Sequence, residues 1–238
     1  MSKSHFSIKN IPFGIGSSSN HPARTVVTRF EDTVIFLDEL AKIHAPLLSK
    51  ETIAAFSCKT VNDFAALPRA EQSLTRKWIQ SIIYKSFDIL SPSCTSAVEA
   101  TTLHLPLAVG DFTDFSCSRD HVLNAGEAVF GNRELPPGFE HFPVGYHGRS
   151  SSIVISGTPI RRPKGQYRDA SGKVIFGPTN RLDYELEVAA VIGAPSQLGE
   201  PVTIGNADEH IFGLVLLNDW SGEDLDINQI SVWNANQL

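Results

Sequence analysis

The chain has 238 residues, 42% of them hydrophobic and 19% charged, which is enough to bury a core and excludes a disordered tail, a collagen or a mini-protein. Twenty Lys and Arg against 26 Asp and Glu leave a formal net charge of −6; this argues against nucleic acid or an anionic membrane as the main partner and for a small molecule. No apolar run approaches the roughly 20 residues of a membrane helix, and the opening MSKSHFSIKN lacks the apolar stretch of a signal peptide, so the cytosol is the expected compartment.

Thr25 to Phe30 and Thr33 to Leu37 are β-branched runs on either side of Glu31-Asp32 and predict a hairpin. Leu74, Trp78 and Ile82 recur at four-residue spacing between Ala70 and Ser86, just after Pro68, and predict an amphipathic helix. Ser91-Pro-Ser93 breaks that pattern, which places a boundary near residue 100, after a small strand-and-helix module. Beyond it Gly and Pro punctuate short apolar segments: Ser152 to Ser156, Lys173 to Phe176, Leu182 to Ile192 and Ile211 to Asn218. Strands of this length with little helical period predict a β-rich domain of sandwich or roll type.

The chemistry concentrates in that second part. In Asp183-Tyr-Glu-Leu-Glu-Val188 a strand period of two puts Asp183, Glu185 and Glu187 on one face and sends Tyr184, Leu186 and Val188 into the core. Carboxylates two apart on a strand lie about 7 Å apart at Cα, close enough to share a cation; without one, like charges on a partly buried face repel or take up protons. A solvated outer face accounts for the same pattern. Asp219 closes the apolar run Ile211 to Asn218, where an unpaired charge is costly. Asp111 and Asp114, in Gly110-Asp-Phe-Thr-Asp-Phe115, are further oxygen donors, although turn-forming aspartates have the same spacing. Carboxylates with no Cys and few His nearby favour Mg²⁺ or Ca²⁺ over zinc. His121 suits a general base beside such a metal, or else a hydrogen-bonded structural residue. Pro143-Val-Gly-Tyr-His-Gly-Arg149 offers Tyr146, His147 and Arg149 to a ligand or forms a tight turn. Gly14-Ile-Gly16 completes no dinucleotide fingerprint, and neither a phosphate-binding loop nor a nucleophile elbow is present. Cys58, Cys94 and Cys117 form no disulfide or zinc pattern and read as reduced thiols.

Leu105-Pro-Leu-Ala-Val-Gly-Asp-Phe-Thr-Asp-Phe115, the spacing on to His121, Pro143 to Arg149, Ser156-Gly-Thr-Pro-Ile-Arg-Arg-Pro163, Leu182 to Glu187 and His210-Ile-Phe-Gly-Leu-Val-Leu-Leu-Asn-Asp-Trp-Ser221 together resemble the fumarylacetoacetase family. Ile8-Lys-Asn-Ile-Pro-Phe-Gly14 is similar to the family's N-terminal opening. The resemblance implies a mainly β chain, with an N-terminal SH3-like barrel module over residues 1–100 and an incomplete β-sandwich roll of the catalytic-domain type over 101–238. It implies Asp114, Glu185, Glu187 and Asp219 as ligands of Mg²⁺ or Ca²⁺, His121 as general base and Tyr146 as a substrate contact. The implied reaction is hydrolysis of a carbon–carbon bond in a 1,3-diketo acid, fumarylacetoacetate plus water giving fumarate and acetoacetate, by a cytosolic enzyme that is a homodimer in the family. Departures are Ser116 in place of a tyrosine, Gly131 in place of an arginine, Glu223 and Asp226 in place of an arginine and a glutamine, and a run from Ile227 to Leu238 that leaves the pattern. The family's later lysine, Gly-Thr pair and glutamate have no match, so the resemblance is to a C-terminally truncated copy. A non-catalytic fragment pairing through its sheet edge, and a related acylpyruvate hydrolase or decarboxylase, are the alternative readings.

Overall fold

β-Branched runs and one long apolar stripe shape the first half of the chain. The computed structural model describes residues 4–44, 47–142, 144–222 and 224–225; Pro143, Glu223, Asp226 and the run from Ile227 to Leu238 lie outside them. In chain order the elements are β1 (Phe13–Ser18), β2 (Thr25–Phe30), β3 (Thr33–Phe36), α1 (Leu37–Ile43), α2 (Lys50–Ala55), α3 (Asn62–Ala65), α4 (Arg69–Ser86), β4 (Thr95–Ala97), β5 (Thr101–His104), β6 (Thr113–Phe115), α5 (Arg119–Phe130), β7 (Gly145–His147), β8 (Lys164–Arg168), β9 (Val174–Pro178), β10 (Leu182–Ile192), α6 (Ala207–His210) and β11 (Ile211–Gly222). They divide into two compact units, Met1–Ala108 with Ala189–Val215, and Val109–Val188 with Leu216–Leu238.

The first unit holds a five-stranded antiparallel sheet in the order β4-β3-β2-β1-β5. The predicted hairpin is β2–β3, closed at Phe30↔Thr33, with Glu31 at φ 49 making the turn. Ile15, Val26 and Ile35 from the sheet meet Leu40, Phe56, Phe64 and Ile79 from the helices in one buried cluster, each large apolar side chain contributing about 1.5–3 kcal/mol on burial. The predicted helix is α4, but its buried stripe is Thr75, Ile79, Ile82 and Ile83, and Leu74 is 42% exposed. Four-residue steps overshoot a helix of 3.6 residues per turn, so positions 74, 78 and 82 drift around the axis and only the last stays on the core face. Trp78 lies at the margin, stacked on Phe56 with ring centroids 6.2 Å apart.

Beyond this sheet β6 pairs with β7, β8 with β9 and β10 with β11. Strands form at Val174–Pro178, Leu182–Ile192 and Ile211–Gly222, close to three of the predicted segments. The fourth, Ser152 to Ser156, is not a strand: Ser150–Ser152 is a single 3₁₀ turn, and the Thr158 hydroxyl and N–H both donate to the Ile155 carbonyl. Hydroxyl side chains there satisfy local backbone groups that a ladder would otherwise use. A helix also interrupts this part of the chain, contrary to expectation. α5 starts where the Ser118 side chain accepts from the His121 N–H and stops at Gly131, φ 74, a serine cap and a left-handed glycine stop.

Candidate metal centre

β6 and β7 supply the first part of the site. Asp114 stands opposite Tyr146 in their register, and the Tyr146 hydroxyl donates to Asp114 Oδ2 at 2.6 Å. The two glycines around Tyr146 allow this approach, because a Cβ on Gly145 or Gly148 would collide with the rings of Phe115 or Phe112. Partial burial of its hydroxyl, the bond to Asp114 and the charges of Asp114, Asp219 and Glu185 push the Tyr146 pKa up, so it remains a donor at any ordinary pH.

β10 supplies the second part, with the predicted alternation and the opposite sense. Glu185 and Glu187 are the half-buried positions, whereas Tyr184, Leu186 and Val188 are 59%, 75% and 67% exposed. The expectation that these three enter the core is overturned, since the sheet turns its acidic face inward. Asp183 does not join the cluster: it is exposed, and its carboxylate accepts from the Tyr184 N–H at 2.8 Å. Asp219, from β11, faces the same way as Glu187. Carboxylate oxygens of Asp114, Glu187 and Asp219 all lie within 4.8 Å of one another. Asp111 lies elsewhere, exposed and 3.4 Å from His147 Nε2.

Glu187 bears the electrostatic cost. Burial, the charges of Asp114, Asp219 and Glu185, and a hydrogen bond with the Glu185 side chain push its pKa up to about 7. Carboxylates crowded in this way share a proton or a cation. Three oxygen donors of this type on a half-buried face fit a hard divalent ion such as Mg²⁺ or Ca²⁺. His121, in the first turn of α5, brings Nε2 within 3.3 Å of Glu185 Oε1, both side chains being partly exposed. The helix that carries His121 was legible in Ser118 and Gly131; an apolar period was the wrong signal to seek in a helix whose only buried apolar side chain among those described is Leu123.

The description "Fumarylacetoacetate (FAA) hydrolase C-terminal" matches residues 111–237 and "Fumarylacetoacetase N-terminal" matches residues 9–106. The chain belongs to the fumarylacetoacetate hydrolase family. Among relatives of this family, fumarylacetoacetase of Rattus norvegicus is 40% identical over 232 residues, covering 93% of this chain and 55% of its own length. Fumarylacetoacetase of Oryza sativa subsp. japonica is 38% identical over 237 residues, 93% of this chain and 54% of its own. Fumarylacetoacetase fahA of Aspergillus fumigatus is 40% identical over 240 residues, 93% and 56%. The chain thus spans about half the length of the curated relatives it matches. Among the described residues no helix is long and apolar enough to cross a membrane.

Proposed function

We propose that this chain carries the metal and general-base half of a fumarylacetoacetase site, which hydrolyses fumarylacetoacetate to fumarate and acetoacetate. The observation that carries the reading is the convergence of Asp114, Glu187 and Asp219 from three strands, with His121 beside Glu185 at 3.3 Å. Asp114, Glu185, Glu187 and Asp219 would hold Mg²⁺ or Ca²⁺. A divalent cation there supplies Lewis-acid polarisation of a carbonyl oxygen.

The protein groups account for the rest. His121, partly exposed, can take a proton from a water that attacks the diketone, and the Glu185 carboxylate steadies the resulting imidazolium. Tyr146, kept protonated, donates its one hydroxyl proton to Asp114 and so orients that carboxylate, while its phenolic oxygen remains an acceptor for a substrate contact. The match of residues 9–106 to the fumarylacetoacetase N-terminal description favours this activity over acylpyruvate hydrolysis, whose enzymes commonly lack that module. On the same grounds we read the five-stranded sheet as an SH3-like barrel, residues 1–100 as its module, and residues 101–238 as belonging to the catalytic roll.

Calorimetric titration with Mg²⁺ and with Ca²⁺ tests the site. Saturable binding by the wild type that is lost in Glu187→Ala and Asp219→Ala is expected, and unchanged binding in Glu187→Ala overturns it. For the base, the test uses a version of the chain extended by the segment that carries the family's later lysine and glutamate: there His121→Ala should lower the rate of diketone absorbance loss about 10²- to 10⁴-fold while cation affinity stays near that of the unsubstituted protein. A variant that keeps its rate returns His121 to a structural role.

A further inference from the structure

We propose that Asp224 and Thr179 form a positioning clamp that fixes the entry of β10, and through it the inward aim of Glu185 and Glu187. The inference rests on the cation site above, but its own observations lie outside that cluster. Thr179 is 2% exposed, and each of its polar atoms is used. Its N–H donates to the Pro163 carbonyl at 2.9 Å, and its carbonyl accepts from the Arg162 guanidinium at 2.8 Å. Its hydroxyl donates to Asp224 Oδ1 and accepts from the Arg181 N–H at 3.2 Å. The second carboxylate oxygen of Asp224 accepts from the Asn180 N–H at 2.8 Å. One carboxylate therefore holds two consecutive residues of the turn that delivers the chain to Leu182, the first residue of β10.

The neighbouring side chain reinforces the hold. Leu225 packs where Gly165 of β8 and Gly222 of β11 leave room; a Cβ on Gly165 would lie 3.0 Å from Leu225 Cδ2, and one on Gly222 3.2 Å from Leu225 Cδ1. The Asp224 carboxyl responds as such a clamp requires: burial pushes its pKa up, but the bonds from Thr179, Asn180 and nearby backbone outweigh this and leave it below its ordinary value.

The site needs such a device because of strand geometry. Side chains alternate across a strand, so a slip of one residue in β10 would turn Glu185 and Glu187 outward and bring Tyr184, Leu186 and Val188 inward. A two-stranded pair resists slippage weakly by itself, and the apolar pattern of β10 favours the slipped arrangement. Asp224 follows Asp219 by five residues, so the end of β11 and the start of β10, which carry two edges of the carboxylate cluster, are tied together through Thr179. Neither residue touches a reacting atom; both act through the carboxylates they aim.

The experiment compares wild type, Asp224→Ala, Thr179→Val and Thr179→Ser in two readouts. The first needs no cation: trypsin cleavage at Arg181–Leu182 in chelator, measured by mass against cleavage at Lys173–Val174 in the β8–β9 turn. Asp224→Ala and Thr179→Val should speed the first cut about tenfold relative to the second, and Thr179→Ser, which keeps the hydroxyl, should match the wild type. The second readout is Mg²⁺ or Ca²⁺ affinity, which should weaken about 10- to 100-fold in the same two variants, the range for residues that support metal ligands, and recover in Thr179→Ser. Thr179→Val conserves volume, so it still decides the matter if Asp224→Ala fails to fold. Unchanged cleavage in both deleterious variants overturns the clamp, as does equal loss in Thr179→Ser. A wild type that takes up no cation while the cleavage contrast stands overturns the cation reading and supports the clamp.

Discussion

Glu187 is a carboxyl group surrounded by carboxylates, and its proton reports on the whole cluster. Its pKa lies near 7 in the fold against an ordinary 4.5. Between those values the folded chain keeps a proton that the unfolded chain has released, so this group's contribution to stability falls as pH rises through that window. Thermal unfolding in chelator should therefore show Glu187→Gln gaining stability relative to wild type between about pH 5 and about pH 8. A difference that stays constant with pH would contradict the crowding described above. At this scale the sequence was informative: acids at alternate positions on a strand, a further acid closing an apolar run and a nearby histidine are readable one residue at a time. Thr179 and Asp224 were not, because their partnership spans 45 residues and neither belongs to a patterned segment.

Elements were read well where period and turn signals agreed. β2 and β3 fall where their β-branched runs put them, and α4 covers the predicted span, although the stripe it buries is Thr75, Ile79, Ile82 and Ile83 rather than Leu74, Trp78 and Ile82. For β10 the alternation was right and the direction wrong, because period two says which residues share a face but not which face the rest of the protein covers. The hydrophobic rule sends Tyr184, Leu186 and Val188 inward; in the structure they are exposed and Asp114, Glu187 and Asp219 converge instead. The short helices of the first unit show how caps replace period. The Ser49 side chain accepts from the Thr52 N–H at 3.1 Å to begin α2, while the hydroxyls of Ser49 and Thr52 both donate to Glu71 of α4, at 2.9 and 2.7 Å. These bonds hold the Glu71 carboxyl below its usual range, so the tie between α2 and α4 weakens as pH falls through that range. Ser49→Ala removes the cap and one tie, and should cost about 1 kcal/mol in chemical denaturation near neutral pH. Ser49→Asp keeps the cap but sets a second carboxylate against Glu71, so it should restore less than Ser49→Thr.

At the scale of the whole molecule, the burial of apolar side chains is uneven. Among the described residues the fully buried large side chains, such as Phe36, Phe56, Phe64 and Ile79, belong to the first unit, whereas the second unit contributes only Leu123 and Tyr167 to the buried hydrophobic set. Its paired strands instead leave apolar side chains in water: Tyr184, Leu186 and Val188 on β10, and Leu216 and Trp220 on β11, 77% and 44% exposed. The ring centroids of Tyr184 and Trp220 are 5.9 Å apart, so these are adjacent members of a patch rather than scattered singletons. An exposed leucine that becomes covered gains about 1.5–3 kcal/mol, and contiguous patches of this kind drive association. In a purified sample of residues 1–238 the surface available for that is another copy, so light scattering should show mass rising with concentration, together with enhanced fluorescence of an apolar dye. The net charge of −6 opposes this association and is screened by salt, so raising ionic strength should increase it. Leu186→Lys with Leu216→Lys places two cations on the outer face, away from the half-buried positions of Glu185 and Glu187. Dye binding and the concentration dependence should both fall in that variant while Mg²⁺ or Ca²⁺ affinity remains. Association that persists unchanged would mean that some other surface drives it, and a parallel loss of cation affinity would mean that the two faces of β10 are not independent.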